Sequence, residues 1–71
     1  PTGVESIPSD VKALIQKVAR LAQLHGRAEM EGKGYRVIAS AVRDERQCAV
    51  EVKVLKGIKL VKDEIVNACK F

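Results

Sequence analysis

The sequence predicts an α+β fold, a two-layer sandwich in which two helices cover one face of a three-stranded antiparallel sheet in the order α-β-β-β-α. Apolar residues recur with helical spacing near both ends of the chain and alternate with polar residues between them. The chain has 71 residues, 46% hydrophobic and 31% charged. We therefore expect residues 1–71 to form one small folded domain rather than a disordered segment.

A lead-in segment at residues 1–8 precedes the first helix, which we place at residues 10–25. Ser9 stands where a helix N-cap is expected, and Gly26 stands where a helix commonly ends. The helix is marked by one apolar stripe: Val11, Leu14, Ile15, Val18, Leu21 and Ala22.

Two strands are expected at residues 35–41 and 47–55, where apolar and polar side chains alternate. A turn centred on residues 44–45 would place Ala41 opposite Cys48. In that register the apolar side chains of both strands share one face of the sheet.

The remaining two elements lie on either side of these strands. A strand at residues 27–31 would join through a two-residue turn at Gly32-Lys33 and complete a three-stranded meander; without it the sheet would be a two-stranded hairpin. After Gly57 the apolar spacing becomes helical again and predicts a closing helix over residues 58–70. Its apolar side is formed by Ile58, Val61, Ile65 and either Ala68 or Cys69.

The two cysteines, Cys48 and Cys69, become neighbours in this topology. The third strand carries the chain ~23 Å along the sheet, at ~3.3 Å for each residue. The closing helix brings it back ~17 Å, at ~1.5 Å for each residue. The pair is expected to form either one disulfide or two small buried thiols.

The positive charge is expected to gather at one end of the sheet. Lys and Arg number 13 against 9 Asp and Glu, for a net charge of +4. Seven residues form the candidate anion site: Lys12, Lys33, Arg36, Lys53, Lys56, Lys59 and Lys62. The N-terminus of the closing helix would add unpaired backbone N–H groups that favour a phosphate.

The composition argues against catalysis. His25 is the only histidine and stands at the end of the first helix. Cys48 as a nucleophile would need an exposed thiol, whereas the alternation places it in the core. One histidine and two cysteines without a CxxC motif are too few for a zinc site. We expect no enzyme activity, no metal and no cofactor.

A small basic binding module accounts best for these features. Its partner would be a nucleic-acid backbone or another polyanion, bound without strong sequence specificity, because the chain has no zinc finger, Gly-rich phosphate loop or aromatic platform for bases. The order helix, three strands, helix resembles that of double-stranded-RNA-binding domains, in element order and charge rather than in sequence motifs. The resemblance implies that a duplex would be contacted from the first helix, the first strand turn and the start of the last helix.

The alternative is a secreted protein with a single disulfide, such as a toxin, effector, antimicrobial or inhibitor acting on a cell surface, a membrane or a target protein. The start at Pro1, the cysteine pair and the basic charge all fit this alternative. A cytoplasmic location is favoured unless Cys48 and Cys69 are bonded, in which case secretion is expected.

A few apolar side chains on the outer face of the sheet predict a possible homodimer through that face. Contiguous apolar side chains on an open sheet can form an interface. The set consists of Ile38, Val42, Ala49 and Leu55.

Overall fold

A computed structural model describes residues 7–43, 46 and 48–70, so most of the lead-in segment and the expected turn at residues 44–45 lie outside the described residues. The α+β class is confirmed, as one helix followed by an antiparallel meander with strand order β1-β2-β3-β4. The elements are α1 (Ser9–His25), β1 (Arg27–Gly32), β2 (Tyr35–Ala41), β3 (Ala49–Lys56), β4 (Lys59–Asn67) and a 3₁₀ turn (Ala68–Lys70).

The closing helix over residues 58–70 is wrong, because most of this segment forms the edge strand β4. A β-bulge accounts for part of the irregular spacing, whereas Ile58 and Ile65 of the apolar set are exposed and do not reach the core. Leu55 pairs with Leu60 and Val54 pairs with Lys62, so Val61 is an extra residue in β4. Val61 and Val66 both pack against the core although they are an odd number of residues apart, which a regular strand does not allow.

The first helix is confirmed, with a different N-terminal cap. Pro8 is the N-cap residue, and Ser9 is the first residue of the helix. The carbonyl oxygen of Pro8 accepts hydrogen bonds from the backbone N–H of Val11 at 3.0 Å and of Lys12 at 3.1 Å. The bond from Lys12 is the ordinary first bond of the helix, and the N-cap residue Pro8 contributes no side-chain cap. The expected stop at Gly26 is confirmed: its φ is 94° and its N–H donates to the carbonyl of Ala22.

The three predicted strands are present, but their register differs by two residues. The first turn lies at Lys33-Gly34 rather than at Gly32-Lys33. Both turn residues have positive φ, 54° and 81°, as a type I′ turn requires. Ala41 pairs with Val50 rather than with Cys48. A shift of two residues preserves the face of every side chain, so the predicted apolar face is correct.

The core lies between α1 and one face of the sheet. The helix packs against β1, β2 and β3, so a single helix forms the second layer where two were expected. The buried apolar residues are Val11, Ile15, Val18, Ala19, Ala22, Val37, Ala39, Val50, Val52, Val54 and Ala68. Strand β4 lies at the margin of this layer, and its helix-side residues Lys62 and Glu64 remain partly exposed.

Cys48 and Cys69 form a disulfide, with Cα atoms 5.3 Å apart. The expected proximity is confirmed, although a strand rather than a helix brings the chain back. Because β4 and β3 are of nearly equal length, the two cysteines meet at the base of their hairpin. Next to the bond, the N–H of the buried Ala68 donates to the carbonyl of Cys48 at 2.8 Å.

Candidate functional site

Three parts of the chain meet at one end of the molecule, which we call the turn end: the first turn of α1, the turn at residues 33–34 and the turn at residues 57–58. The antiparallel register places both turns at this end, because Tyr35 pairs with Lys56. The Nζ atom of Lys33 lies 3.7 Å from Oδ2 of Asp10, which connects the first turn of the sheet to the start of α1.

The turn between β3 and β4 is exposed to solvent. It is a two-residue connection in which Gly57 adopts a φ of 66°, as the first position of a type II′ turn requires. The second position is Ile58, whose side chain is fully exposed. Lys56 and Lys59 face each other directly across the base of the turn. An apolar tip therefore lies between two cations.

The side chain of Lys56 is held close to the sheet. Its Nζ atom lies 5.8 Å from the centroid of the Tyr35 ring, within the range of a cation–π interaction. The tyrosine is half-buried against the core, so its ring is a fixed platform. This interaction favours a position of one of the two positive charges over the Tyr35 ring.

The seven candidate anion-binding residues separate into two groups. Lys12, Lys33, Lys56 and Lys59 lie at the turn end. Arg36 lies on the open face of the sheet but close to the turns, where it lines a cleft with Gly57 and Ile58. Lys53 lies farther along the open face, and Lys62 lies on the helix side of the sheet. Lys53 pairs with Ile38 on one side and with Asp63 on the other, well away from the turns. The expected gathering of all seven residues does not occur.

Carboxylates partly offset three of these seven charges. Arg36 lies 3.2 Å from Glu29 and 3.4 Å from Glu31. Lys62 lies 3.1 Å from Glu64, and Lys33 pairs with Asp10 in the first turn of α1. Exposed pairs of this kind contribute only about 0–1 kcal/mol to stability. They nevertheless place a negative charge beside each cation, so an incoming anion is attracted less strongly.

The helix N-terminus expected beside Lys59 is absent, because Lys59 begins a strand. The structure therefore corrects the part of the candidate site that relied on helical N–H groups. The one α-helix of the described residues begins at this end, but its first turn carries Asp10. That carboxylate already complements the positive end of the helix dipole.

Ile58 is the residue that sequence reasoning missed, since its spacing assigned it to the apolar side of a helix. The segment Lys56-Gly57-Ile58-Lys59 carries a signal that could have identified it. Glycine followed by one residue between two strands is the signature of a type II′ hairpin turn. In that interpretation Ile58 is a tip residue with no core to join.

The open face of the sheet is mixed in character. Ile38, Ala49 and Leu55 lie on it as expected, whereas Val42 follows the end of β2. Charged residues interrupt the apolar set, because Ile38 pairs with Lys53 and Ile65 pairs with Glu51. The homodimer through this face stays a prediction.

Cys48 and His25 are the residues on which a catalytic interpretation would depend. Cys48 is bonded to Cys69 and is therefore not a free thiol. His25 lies in the last turn of α1, as expected. Within residues 7–43, 46 and 48–70, no three side chains of the metal-ligating types lie together. In the same part of the chain, no helix has the length and apolar character to cross a membrane.

No protein family, known protein or solved structure matches this chain.

Proposed function

We propose that this is a non-enzymatic binding protein that attaches to a polyanionic partner through its turn end. One observation carries the proposal: among the described residues, no carboxylate lies within ion-pair distance of Lys12, Lys56 or Lys59. The positive charge of the other lysine at this end, Lys33, is partly offset by Asp10. Cations without a local counter-charge attract an anionic surface most strongly.

Nucleic acid as the particular polyanion is supported by fewer residues than the sequence alone indicates. The closing helix of the double-stranded-RNA-binding order is replaced by β4, and Arg36 is held between two glutamates. Binding to a nucleic-acid backbone stays a prediction, supported by the remaining lysines. The lysines at the turn end support a polyanion as a class.

The alternative of a secreted protein has one specific observation in its favour, the bond between Cys48 and Cys69. Disulfides persist in oxidising compartments and are rare in the cytosol. A toxin, effector, antimicrobial or inhibitor that acts at a cell surface would use the same basic end. The two candidate functions thus share one binding surface and differ in the compartment.

Binding to heparin as a salt-dependent polyanion tests the proposal. The informative variant is Lys56→Glu with Lys59→Glu. Its matched control is Lys17→Glu with Lys70→Glu, which changes the net charge equally at two exposed positions outside the turn end. We expect the first variant to bind heparin far more weakly and the control to retain most of its affinity. Each lysine that no longer meets the polyanion should reduce the slope of log K against log salt by about one.

Equal losses of affinity in the two variants would show that net charge alone governs binding. Heparin binding by the wild-type protein that does not change with salt would also contradict the proposal, since counterion release requires that dependence. Circular dichroism of both variants checks that the fold is retained, as expected for exposed positions.

A further inference from the structure

We propose that the polyanion bound by the turn end is the surface of an anionic phospholipid bilayer, into which Ile58 inserts its side chain. The inference rests on the proposed function and names the partner of the same surface. It depends on one juxtaposition: a fully exposed isoleucine at the tip of a hairpin, between two lysines that face each other across its base.

The hairpin tip presents Ile58 in a form that needs no rearrangement to insert. The side chain belongs to the second residue of the two-residue turn and is fully exposed. Leu60, half-exposed, follows it on the open face of the sheet. Moving the tip into the boundary between headgroups and acyl chains would bury apolar surface that the fold itself leaves in water.

The two lysines are placed to remain at the depth of the lipid phosphates. Lysine can lay its aliphatic stem along apolar surroundings while its ammonium group stays at the interface. Lys56 is also held over Tyr35, and tyrosine is a residue type enriched at membrane–water interfaces. Basic residues near an anionic leaflet each contribute to attraction at short range. The hairpin therefore combines an apolar side chain that inserts with two positive charges at the depth of the lipid phosphates.

A nucleic acid would make fewer favourable contacts with this hairpin tip than a bilayer would. Its backbone offers no apolar layer for Ile58, and the described aromatic residue, Tyr35, is half-buried beneath Lys56 rather than open to a base. Arg36, which could bind a phosphate with two N–H groups, is occupied by Glu29 and Glu31. A bilayer engages both the apolar and the basic parts of the tip.

The test is co-sedimentation with vesicles of phosphatidylcholine alone and of phosphatidylcholine containing about a quarter phosphatidylglycerol, a content that sets the surface charge. The informative variant is Ile58→Ser. The matched control is Ile65→Ser, which removes the same side chain from an exposed position on β4, away from the tip. We expect binding only to the anionic vesicles and about tenfold weaker binding for Ile58→Ser, since a buried isoleucine is worth at least one decade of affinity. Ile65→Ser should bind like the wild-type protein.

Fluorescence provides a second readout, because the chain contains no tryptophan. We expect Ile58→Trp to shift its emission to shorter wavelength when anionic vesicles are added, and Ile65→Trp to keep the emission of a solvated indole. Circular dichroism should show the same fold for all four variants, since neither isoleucine belongs to the core.

The outcomes separate this inference from the proposed function. Heparin binding without vesicle binding would overturn the inference and leave the proposed function standing, and tighter binding to duplex RNA than to vesicles would do the same in favour of nucleic acid. Vesicle binding that is equal for the wild-type protein and Ile58→Ser would refute insertion while retaining attraction by charge. Absence of binding to heparin, duplex RNA and vesicles at low salt would refute both proposals.

Discussion

Removing the disulfide is the most informative test of how this small fold is stabilised. The bond between Cys48 and Cys69 joins residues that are 21 positions apart in the sequence. In the chain-entropy treatment, a cross-link over a loop of this length stabilises the folded state by about 3.3 kcal/mol, because it restricts the unfolded chain. A chain of this size has a total free energy of unfolding of only about 4–11 kcal/mol. The variant Cys48→Ala with Cys69→Ala should therefore lose between a third and most of its stability.

Urea denaturation followed by circular dichroism measures the effect. The wild-type protein treated with a reductant is the control, because it keeps both side chains and loses only the cross-link. Since Cys48 is only half-buried and Cys69 is exposed, the reduced protein and the double variant should unfold at similar urea concentrations. A loss below about 1 kcal/mol in both would refute the reasoning that the cross-link acts through the unfolded chain.

Two further substitutions test the turn and the core. Gly34→Ala should destabilise the fold by about 1–2 kcal/mol in thermal or urea unfolding, because the φ of 81° is strained for a residue with a Cβ atom even though the added carbon meets no neighbour. Gly34→Asn should recover most of this loss, because asparagine tolerates that conformation. An equal cost for both variants would contradict the assignment of a type I′ turn. Val52→Ala should lower the free energy of unfolding by about 2 kcal/mol, as measured by urea unfolding. This side chain is fully buried between the sheet and α1, so its truncation reduces burial and leaves a small cavity. A smaller loss than that of Ile65→Ala on the open face would contradict the placement of the core.

The helix and the first three strands could be predicted because their periodicity is regular. In α1 one apolar stripe meets one face of the sheet, and in β2 and β3 every second residue points into the core. Register was harder, because a shift by two residues keeps each side chain on its face. In the pairing of β1 with β2, the conformational demand of the turn at Lys33-Gly34, where both φ values are positive, separates the two registers.

Strand β4 could not be predicted from periodicity, for two physical reasons. The bulge at Val61 breaks the alternation, so that Val61 and Val66 reach the core from positions of opposite parity. The strand also lies at the margin of the helix layer, where Lys62 and Glu64 occupy the side that is apolar in the other strands. A segment with an irregular and incomplete apolar pattern resembles an amphipathic helix.

The location of the candidate site could be predicted from the sequence, whereas the set of side chains that form it could not. Lys56 and Lys59 could be placed at the correct end because strand direction alone decides that. The ion pairs of Arg36 depend on the pairing of β2 with β1, and the ion pair of Lys62 with Glu64 depends on the strand conformation of β4, which places residues two apart on one face. The exposure of Ile58 depends on a hairpin turn at a position where periodicity predicts the start of a helix.

The hairpin of β3 and β4 has a base joined by the disulfide and a tip that projects away from the core. The disulfide and the buried Ala68 hold one end, whereas the other end bears Gly57 and Ile58 with no packing partner above them among the described residues. Changes of sequence or length at the tip therefore leave the core and the cross-link untouched. A protein built in this way can acquire a new binding preference by altering a few residues of one turn, while its folding remains governed by residues at the other end of the molecule.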